Sequence, residues 1–258
     1  MDAVDWTAFS VAEVRAFTDT VGRVARDLAR VAPAPRGAPL FGLDMTIADP
    51  ELLDRFSRHG IFRKYQRAIA LGSGLGGVQR WWAMHFGCSV LTIGPHAGPI
   101  EAAARLGLPT GLGERTTFRV GPLHNLPLRG EQFTHAWSVE DLAAVAADPA
   151  PVLREALRVL RPAGLLTVVL GGTAGADPAI TRWIETVAAV GFTAIAVKPL
   201  PPPELPYAVY YAEHVLRSAL EDAFSGERRA RLLALAAALA GARSSRVPRV
   251  MLFAERPS

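Results

Sequence analysis

A short run of glycines is the feature of this sequence best suited to hold a ligand. The segment AIALGSGLGG, residues 68–77, joins an apolar stretch to Gly72, Gly74, Gly76 and Gly77, and a helical pattern follows directly. Glycine lets a backbone turn sharply and approach a ligand closely, and the N-terminus of the next helix offers free N–H donors. The same glycines also fit a dinucleotide-binding pattern or a plain connecting turn, so the loop alone does not identify the ligand.

Side chains able to transfer protons surround the end of another apolar run. Ser138, Glu140 and Asp141 follow residues 133–137, at the carboxyl edge where open α/β sheets bind ligands. Glu140 could act as a general base toward a substrate hydroxyl, whereas Asp141 could instead cap the next helix. His135, inside the run, is a second catalytic candidate, with a packed strand residue as the alternative.

An aromatic, polar group lies further along the chain. Tyr207, Tyr210, Tyr211 and His214 recur at helical spacing and could line a substrate pocket. The alternative is an amphipathic helix that buries the rings and leaves the hydroxyls in water. The six histidines show no metal-ligand spacing, so we expect no metal site.

The elements that must position these residues alternate between strand and helix from residue 66 onward. This alternation is typical of βαβ units and a largely parallel sheet. We predict strands near 67–71, 89–93, 116–120, 133–137, 164–170, 192–198 and 247–254. We predict helices near 77–87, 98–106, 139–147, 150–161 and 177–190, and two more within 207–242 that separate at Ser225-Gly226.

The first sixty residues are predicted to be helical. Apolar residues recur at three- and four-residue steps over 8–31, and a second short helix is expected at 49–60, where Asp49 can cap and Pro50 can occupy the first turn. We therefore predict an N-terminal helical lid over 1–60 and one main domain over 61–258. A helical insertion at about 199–245 follows a proline-rich connection and precedes the last strand.

Later segments resemble one known family. VLREALRVLRPAGLLTVVL at 152–170 resembles the helix, turn and fifth strand of class I S-adenosylmethionine-dependent methyltransferases of the type 11 or 25 kind. FTHAWSVEDL at 133–142 and VGPLHNLPL at 120–128 resemble that family's fourth strand and the approach to it. GFTAIAV and VMLFAERP resemble its final antiparallel hairpin. The resemblance covers about 60–258 and implies an α/β, Rossmann-like fold, with seven mostly parallel strands, flanking helices and S-adenosylmethionine over the glycine loop.

The resemblance also implies which cofactor contacts are missing. The family usually carries three acidic residues around the cofactor, and this chain has Ala70, Gly94 and Pro122 at those positions. None of these can accept a side-chain hydrogen bond from the ribose or the adenine amine, although Ser73, His96 or a water could substitute. The expected cofactor-binding residues are Gly72, Ser73, Gly74, Gly76, Gly94, His96, Pro122 and Ser138.

Composition and charge narrow the class of protein. No stretch reaches the roughly 20 apolar residues of a membrane span, and the acidic start lacks a signal peptide's basic residues, so we expect a cytoplasmic protein. The net charge is +4, and a solvated helix face is expected for the C-terminal arginines Arg228, Arg229, Arg231, Arg243, Arg246 and Arg249. The sequence contains no dense basic stripe of the kind that binds nucleic acid, so we expect no nucleic-acid partner. The single cysteine, Cys88, is expected to pack.

Three functional hypotheses follow. The first is a degenerate methyltransferase-like protein that binds a small molecule, has weakened or lost S-adenosylmethionine binding, and serves as a non-methylating enzyme or a partner subunit. The second is an active methyltransferase for a small-molecule oxygen, nitrogen or carbon acceptor. The third, based on the glycine loop alone, is a nucleotide-dependent oxidoreductase. A homodimer is compatible with each.

Overall fold

A seven-stranded sheet forms the centre of the protein in a computed structural model, which describes residues 4–31, 40–45, 53–54, 64–72, 74–138 and 148–258. In chain order the strands are β1 Arg67–Leu71, β2 Ser89–Gly94, β3 Thr116–Val120, β4 Phe133–Ser138, β5 Leu160–Gly171, β6 Thr193–Leu200 and β7 Arg249–Glu255. The spatial order is β3-β2-β1-β4-β5-β7-β6, and β7 runs antiparallel to both of its neighbours. The predicted fold class is confirmed.

This order favours the methyltransferase resemblance over a dinucleotide-binding fold. Dinucleotide-binding sheets commonly place six parallel strands in the order 3-2-1-4-5-6. Here β7 is inserted between β5 and β6 in the antiparallel direction, with Val168 opposite Leu252 and Val197 opposite Leu252 on the other side. The final antiparallel pair predicted from GFTAIAV and VMLFAERP is therefore present.

Most strand boundaries match the predicted ones within two residues, but β5 begins at Leu160, four residues early. Leu160 pairs with Phe133, and the register then shifts before His135 pairs with Leu165. Ala163, in this irregular stretch, has φ 59° and its N–H donates to the Arg256 carbonyl at 3.1 Å. The Pro-Gly turn predicted between helix and strand is therefore part of the strand itself.

The described helices are as follows: α1 Val11–Ala29, α2 Gly77–Phe86, α3 Ala97–Gly107, α4 Ala150–Val159, α5 Pro178–Val190, α6 Tyr207–Ala223 and α7 Gly226–Ser244. Helix α1 starts at Val11 because Ser10 and Glu13 form a reciprocal capping box. The two predicted inserted helices are confirmed, since α6 ends and α7 begins on either side of Ser225. The predicted helix at 139–147 lies outside the described residues, as does most of the one at 49–60.

The sheet separates two apolar cores. On one face, Ile69, Leu71 and Leu166 pack with residues of α4 and α5. On the other face, Ala70 and Trp137 pack against α2, where the rings of Trp82 and Trp137 have centroids 4.0 Å apart. Because both faces are covered at the centre of the sheet, β1 contains only apolar residues after Arg67.

A third core joins the N-terminal helix to the insertion. Phe17 and Val21 of α1 pack in one buried cluster with Leu216 of α6 and Leu235 and Leu239 of α7. The first helix is thus tied to the helices that precede the last strand. Whether residues 1–60 act as a lid stays a prediction.

The solvated face predicted for the C-terminal arginines is wrong at two positions. Arg243 and Arg249 are only 2% and 4% exposed. Arg243 forms an ion pair with Glu213 at 2.8 Å, and Arg249 lies in β7 between β5 and β6. The spacing of residues along α7 does not reveal that the face carrying Arg243 is covered by α6.

Candidate functional site

The glycine loop connects β1 to α2 and lies at the carboxyl edge of the sheet. Gly72, Gly74 and Gly76 have φ values of 88°, 47° and 76°, in the left-handed region that favours glycine. The three are buried, and Gly72 N–H donates to the Ile93 carbonyl of β2 at 2.9 Å. The predicted tight turn is therefore present. Ser73, also predicted to bind the cofactor, lies outside the described residues.

Two glycines are required by the protein's own packing. A Cβ on Gly76 would come within 2.8 Å of Ala103 and of the Phe118 ring. A Cβ on Gly77 would come within 2.6 Å of the carbonyl oxygen of Asp44, which accepts the Gly77 N–H at 3.1 Å. The start of α2 is thus occupied by backbone from the N-terminal region.

Asp44 and Arg80 fix this arrangement through a buried ion pair. Arg80 lies on α2 and is fully buried, and Asp44 is 1% exposed. The Arg80 guanidinium donates to the Asp44 carboxylate and to the carbonyls of Leu75, at 2.8 Å, and Ala103, at 2.9 Å. It therefore ties the glycine loop, helix α3 and the segment Leu40–Met45 together. Neither residue was predicted, because nothing in the sequence links positions 36 residues apart.

The ends of β2 and β3 carry no carboxylate at Gly94 or Pro122, the positions predicted to face a nucleoside. β2 ends at Gly94, opposite Val120, and the Gly94 carbonyl accepts the Gly121 N–H at 3.1 Å. Pro122 follows two residues after β3 and is exposed. Ala70 is inside β1, between Thr92 and Trp137. Ala70, Gly94 and Pro122 thus lie inside β1, at the end of β2 and after β3, and their role toward a cofactor stays a prediction.

His96 precedes helix α3 and is half-buried, with no side-chain cap bond to the helix. The pKa of the Asp5 carboxyl is lowered mainly by hydrogen bonds from Thr7 and, to a smaller extent, by the nearby His96. The N-terminal segment therefore borders the loop after β2. His96 follows β2, the neighbour of β1 in the sheet, and its contact with a ligand stays a prediction.

The loop after β3 is held by an ion pair on α4. Leu126 N–H donates to Glu155 at 2.7 Å, and Arg158 donates to the carbonyls of Leu126, at 3.1 Å, and Leu128, at 2.8 Å. The hydrogen bond from Arg158 is the main cause that lowers the pKa of Glu155, and that pairing raises the pKa of Arg158. The arginine-rich helix of the family resemblance thus anchors the loop that contains Pro122.

The residues predicted to transfer protons lie at different positions along β4. Ser138 is the last residue of the strand, is buried, and lies opposite Val168. His135 is three residues earlier, opposite Ala68 and 4% exposed, with its Nδ1 2.9 Å from the Thr134 hydroxyl. At about 3.3 Å per residue, it lies roughly 10 Å from the strand end. Its placement favours packing over proton transfer. Glu140 and Asp141 lie outside the described residues.

The predicted substrate-pocket residues occupy the outer face of α6. Tyr207, Tyr210 and Tyr211 are 81%, 50% and 46% exposed, and Tyr207 stacks on Tyr211 with ring centroids 6.4 Å apart. Tyr210 and His214 border a cavity between α6 and α7, whereas Tyr207 and Tyr211 do not. The predicted group is thus divided between a cavity wall and the surface.

The described residues contain neither a cluster of metal ligands nor a membrane-spanning helix. In that part of the chain, no group of three His, Cys, Asp or Glu side chains could hold a metal ion. No helix there is both long and apolar enough to cross a membrane.

Comparison with known proteins finds sequence similarity in the central region of the chain. The sequence profile of a family described as "Methyltransferase domain" matches residues 69–168. Chloroplastic tocopherol O-methyltransferase of Arabidopsis thaliana is 28% identical over 109 residues, which cover 42% of this chain and 30% of that protein. The chain thus matches less than a third of the curated relative's length.

Solved structures share the fold over a longer span. The (4+2)-cyclase SpnF has a TM-score of 0.60 at 21% identity, with 93% of both chains covered. Phosphoethanolamine N-methyltransferase 2 of Haemonchus contortus, in complex with S-adenosylmethionine, has a TM-score of 0.56 at 17% identity, covering 83% of this chain and 55% of that one. The chain therefore has the fold of these methyltransferase-like structures, and residues 69–168 match the methyltransferase domain model.

Proposed function

We propose that this chain is a degenerate class I methyltransferase that keeps the ligand cleft over the glycine loop but binds S-adenosylmethionine weakly or not at all. It would serve as a non-methylating enzyme acting on a small molecule, or as a partner subunit. The observation that carries the proposal is the residue at the end of β2, Gly94, which offers no side-chain acceptor to the ribose hydroxyls.

The energetic cost of the missing acceptors supports weakened binding. Hydrogen bonds to a charged group contribute about 1.5–3 kcal/mol each, which corresponds to a factor of roughly 10 to 150 in affinity. Gly94 removes one such acceptor, and Pro122 removes the one expected for the adenine amine. A cleft without these carboxylates also attracts the sulfonium cation less strongly.

The buried carboxylate beside the loop is a poor replacement. One oxygen of Asp44 pairs with Arg80, so the charge of the carboxylate is already neutralised. Its backbone carbonyl accepts the Gly77 N–H at the start of α2, and this removes one donor that a ligand could have used. Both contacts indicate that the glycine loop is held in place by other parts of the protein.

A solved neighbour gives independent support. SpnF, whose fold aligns over 93% of this chain, is described as a cyclase. A fold can host several unrelated chemistries, so the methyltransferase architecture does not require methyl transfer.

An active small-molecule methyltransferase is the second candidate, favoured by one specific observation. The second oxygen of the Asp44 carboxylate, Oδ1, is buried and has no hydrogen-bond partner among the described residues. An unsatisfied buried acceptor is costly, and the ammonium group of S-adenosylmethionine could satisfy it. This candidate predicts that Asp44→Asn reduces cofactor affinity.

Isothermal titration calorimetry with S-adenosylmethionine and S-adenosylhomocysteine tests the two candidates. We expect no saturable heat up to millimolar ligand with either compound. Micromolar binding of both compounds, lost in Asp44→Asn, would overturn the proposal and support the active enzyme. Titration with a nicotinamide dinucleotide in the same cell tests the oxidoreductase alternative, for which we also expect no binding.

A further inference from the structure

A cavity of about 270 Å³ lies between the two inserted helices. Tyr210, His214 and Arg217 of α6 line one wall, and their spacing of three or four residues places them on one helix face. The opposite wall, on α7, contains the small side chains Ala236, Ala237 and Ala240 together with Arg243. Tyr210, His214, Arg217 and Ala237 are exposed, so the cavity opens to solvent and a ligand could enter it.

The charges around the cavity do not cancel. Arg243, which also lines the cavity, is 2% exposed and is neutralised by Glu213 at 2.8 Å. Arg217 is exposed and has no ion-pair or hydrogen-bond partner among the described residues. The Arg217 guanidinium therefore leaves a net positive charge at the cavity.

Polar and apolar groups in the cavity favour an anion attached to a flat apolar body. The Tyr210 hydroxyl and the His214 ring can donate hydrogen bonds, and the Arg217 guanidinium can donate two parallel ones to a carboxylate. The alanine methyl groups and the Tyr210 ring offer an apolar surface between them. This combination of an apolar wall and a few polar groups is typical of small-molecule sites.

The cavity is separated from the glycine loop by a defined wall. Arg243 donates to the Met45 carbonyl at 3.0 Å, and the Asp44–Met45 stretch lies against Gly77 at the start of α2. Arg243 therefore lies between the cavity and the segment that covers the loop.

We propose that the space between α6 and α7 is a second ligand site, distinct from the glycine loop, which binds a small aromatic carboxylate. This site does not depend on whether S-adenosylmethionine is bound. Its test is therefore independent of the calorimetric test of the proposed function.

The experiment uses the full chain and 4-hydroxybenzoate as the probe, with 4-hydroxybenzamide as its uncharged counterpart. Binding is measured by saturation-transfer NMR and by calorimetry. We expect saturable binding of the carboxylate and at least about tenfold weaker binding of the amide, because the amide cannot form the charge-assisted pair. Absence of carboxylate binding, or equal binding of the two compounds, would overturn the proposal.

Two variants locate the site. Arg217→Gln removes the unpaired charge and Ala237→Phe fills the cavity, and each should weaken 4-hydroxybenzoate binding about tenfold or more. The matched controls are Arg182→Gln on α5 and Ala234→Phe on α7, two exposed positions that do not line the cavity. All four positions are exposed, and thermal unfolding verifies that each variant folds. Binding that survives Ala237→Phe, or that is lost equally in the controls, contradicts the assignment.

Discussion

The guanidinium of Arg80 and the carboxylate of Asp44 form an ion pair whose side chains are 0% and 1% exposed. The pair joins helix α2, directly after the glycine loop, to a segment that precedes the sheet in the chain. A buried pair of this kind contributes little net stability over an apolar pair, but its disruption is costly because it leaves one charge unpaired. The geometry of the loop therefore depends on both residues being present.

Asp44→Ala should destabilise the protein strongly. The variant leaves Arg80 buried and unpaired, so we expect the free energy of unfolding to fall by about 3–5 kcal/mol. Denaturant titration followed by circular dichroism measures the change. Asp19→Ala, which breaks the exposed pair with Arg105, is the matched control and should cost no more than about 1 kcal/mol. Equal losses in the two variants would show that the burial of the pair has no effect.

Gly94→Asp should restore cofactor affinity if the missing ribose acceptor is the cause of weak binding. Gly94 ends β2 and is not among the described glycines with positive φ, so aspartate can adopt its backbone conformation. We expect S-adenosylhomocysteine affinity to rise by a factor of roughly 10 to 150, measured by calorimetry. Gly113→Asp, at an exposed glycine with no atom within 4 Å of its Cβ position, adds the same charge elsewhere and should produce no gain.

Gly76→Ala should cost more stability than Gly111→Ala. Both glycines have positive φ, at 76° and 69°, so each substitution carries a left-handed backbone penalty of about 1–2 kcal/mol. Only Gly76 has close neighbours, Phe118 and Ala103, and the clash should add roughly 1–3 kcal/mol. Parallel denaturation curves measure the difference between the variants. Similar costs for both would mean that Phe118 moves aside without penalty.

Lowering the pH should remove the stabilising contribution of the Glu13 carboxylate. The pKa of Glu13 is lowered to about 2, first by its hydrogen bond with Arg231 and then by the capping bonds from Ser10. A lowered folded-state pKa stabilises the protein above the ordinary value near 4.5, and this contribution is lost as pH falls from there toward 2. Because Arg231 is 40% exposed, solvent screening reduces the contribution to roughly 1 kcal/mol.

Glu13→Gln isolates that charge, since glutamine can keep the capping box. We expect the wild type to be more stable than the variant at pH 7 and the difference to shrink steadily between pH 4.5 and pH 3. Unfolding free energies of both proteins at these three pH values measure it. A difference that does not change with pH would mean that the pair with Arg231 contributes nothing.

Cys88 should not react with thiol reagents in the folded protein. The thiol is fully buried, and burial raises its pKa to about 11, so little of the reactive thiolate is present at neutral pH. Labelling with a chromogenic disulfide should therefore require unfolding, after which one thiol per chain reacts. Rapid labelling of the native protein would show that the start of β2 opens readily.

The strands could be predicted from sequence because their determinants are local. Apolar runs such as AIAL and SVLTI are bounded by glycine or polar residues, and helices α6 and α7 separate at Ser225-Gly226, a turn signal. β5 was placed late because its first residues contain Pro162 and Gly164, which are typical of a turn. They are retained in the strand by pairing with Phe133 and the Arg256 backbone.

The site could be predicted only in part. Gly72, Gly74 and Gly76 have the backbone conformation that their spacing indicates. The contacts that hold this loop come from Asp44 and Arg80, and a pair between distant positions has no local signature. An aspartate between Leu43 and Met45, with apolar residues on both sides, was the one available hint that its carboxylate would be buried.

The hydrogen bond from Arg243 to Met45 spans 198 residues of sequence. On the ribosome, this hydrogen bond cannot form until α7 has been made, although Asp44 can pair with Arg80 much earlier. Contacts this distant are slow to form because a long loop must close first. A nascent chain that stops before α7 therefore lacks one of the contacts that hold the segment against the glycine loop, and chaperones and proteases should capture it more readily than the full chain.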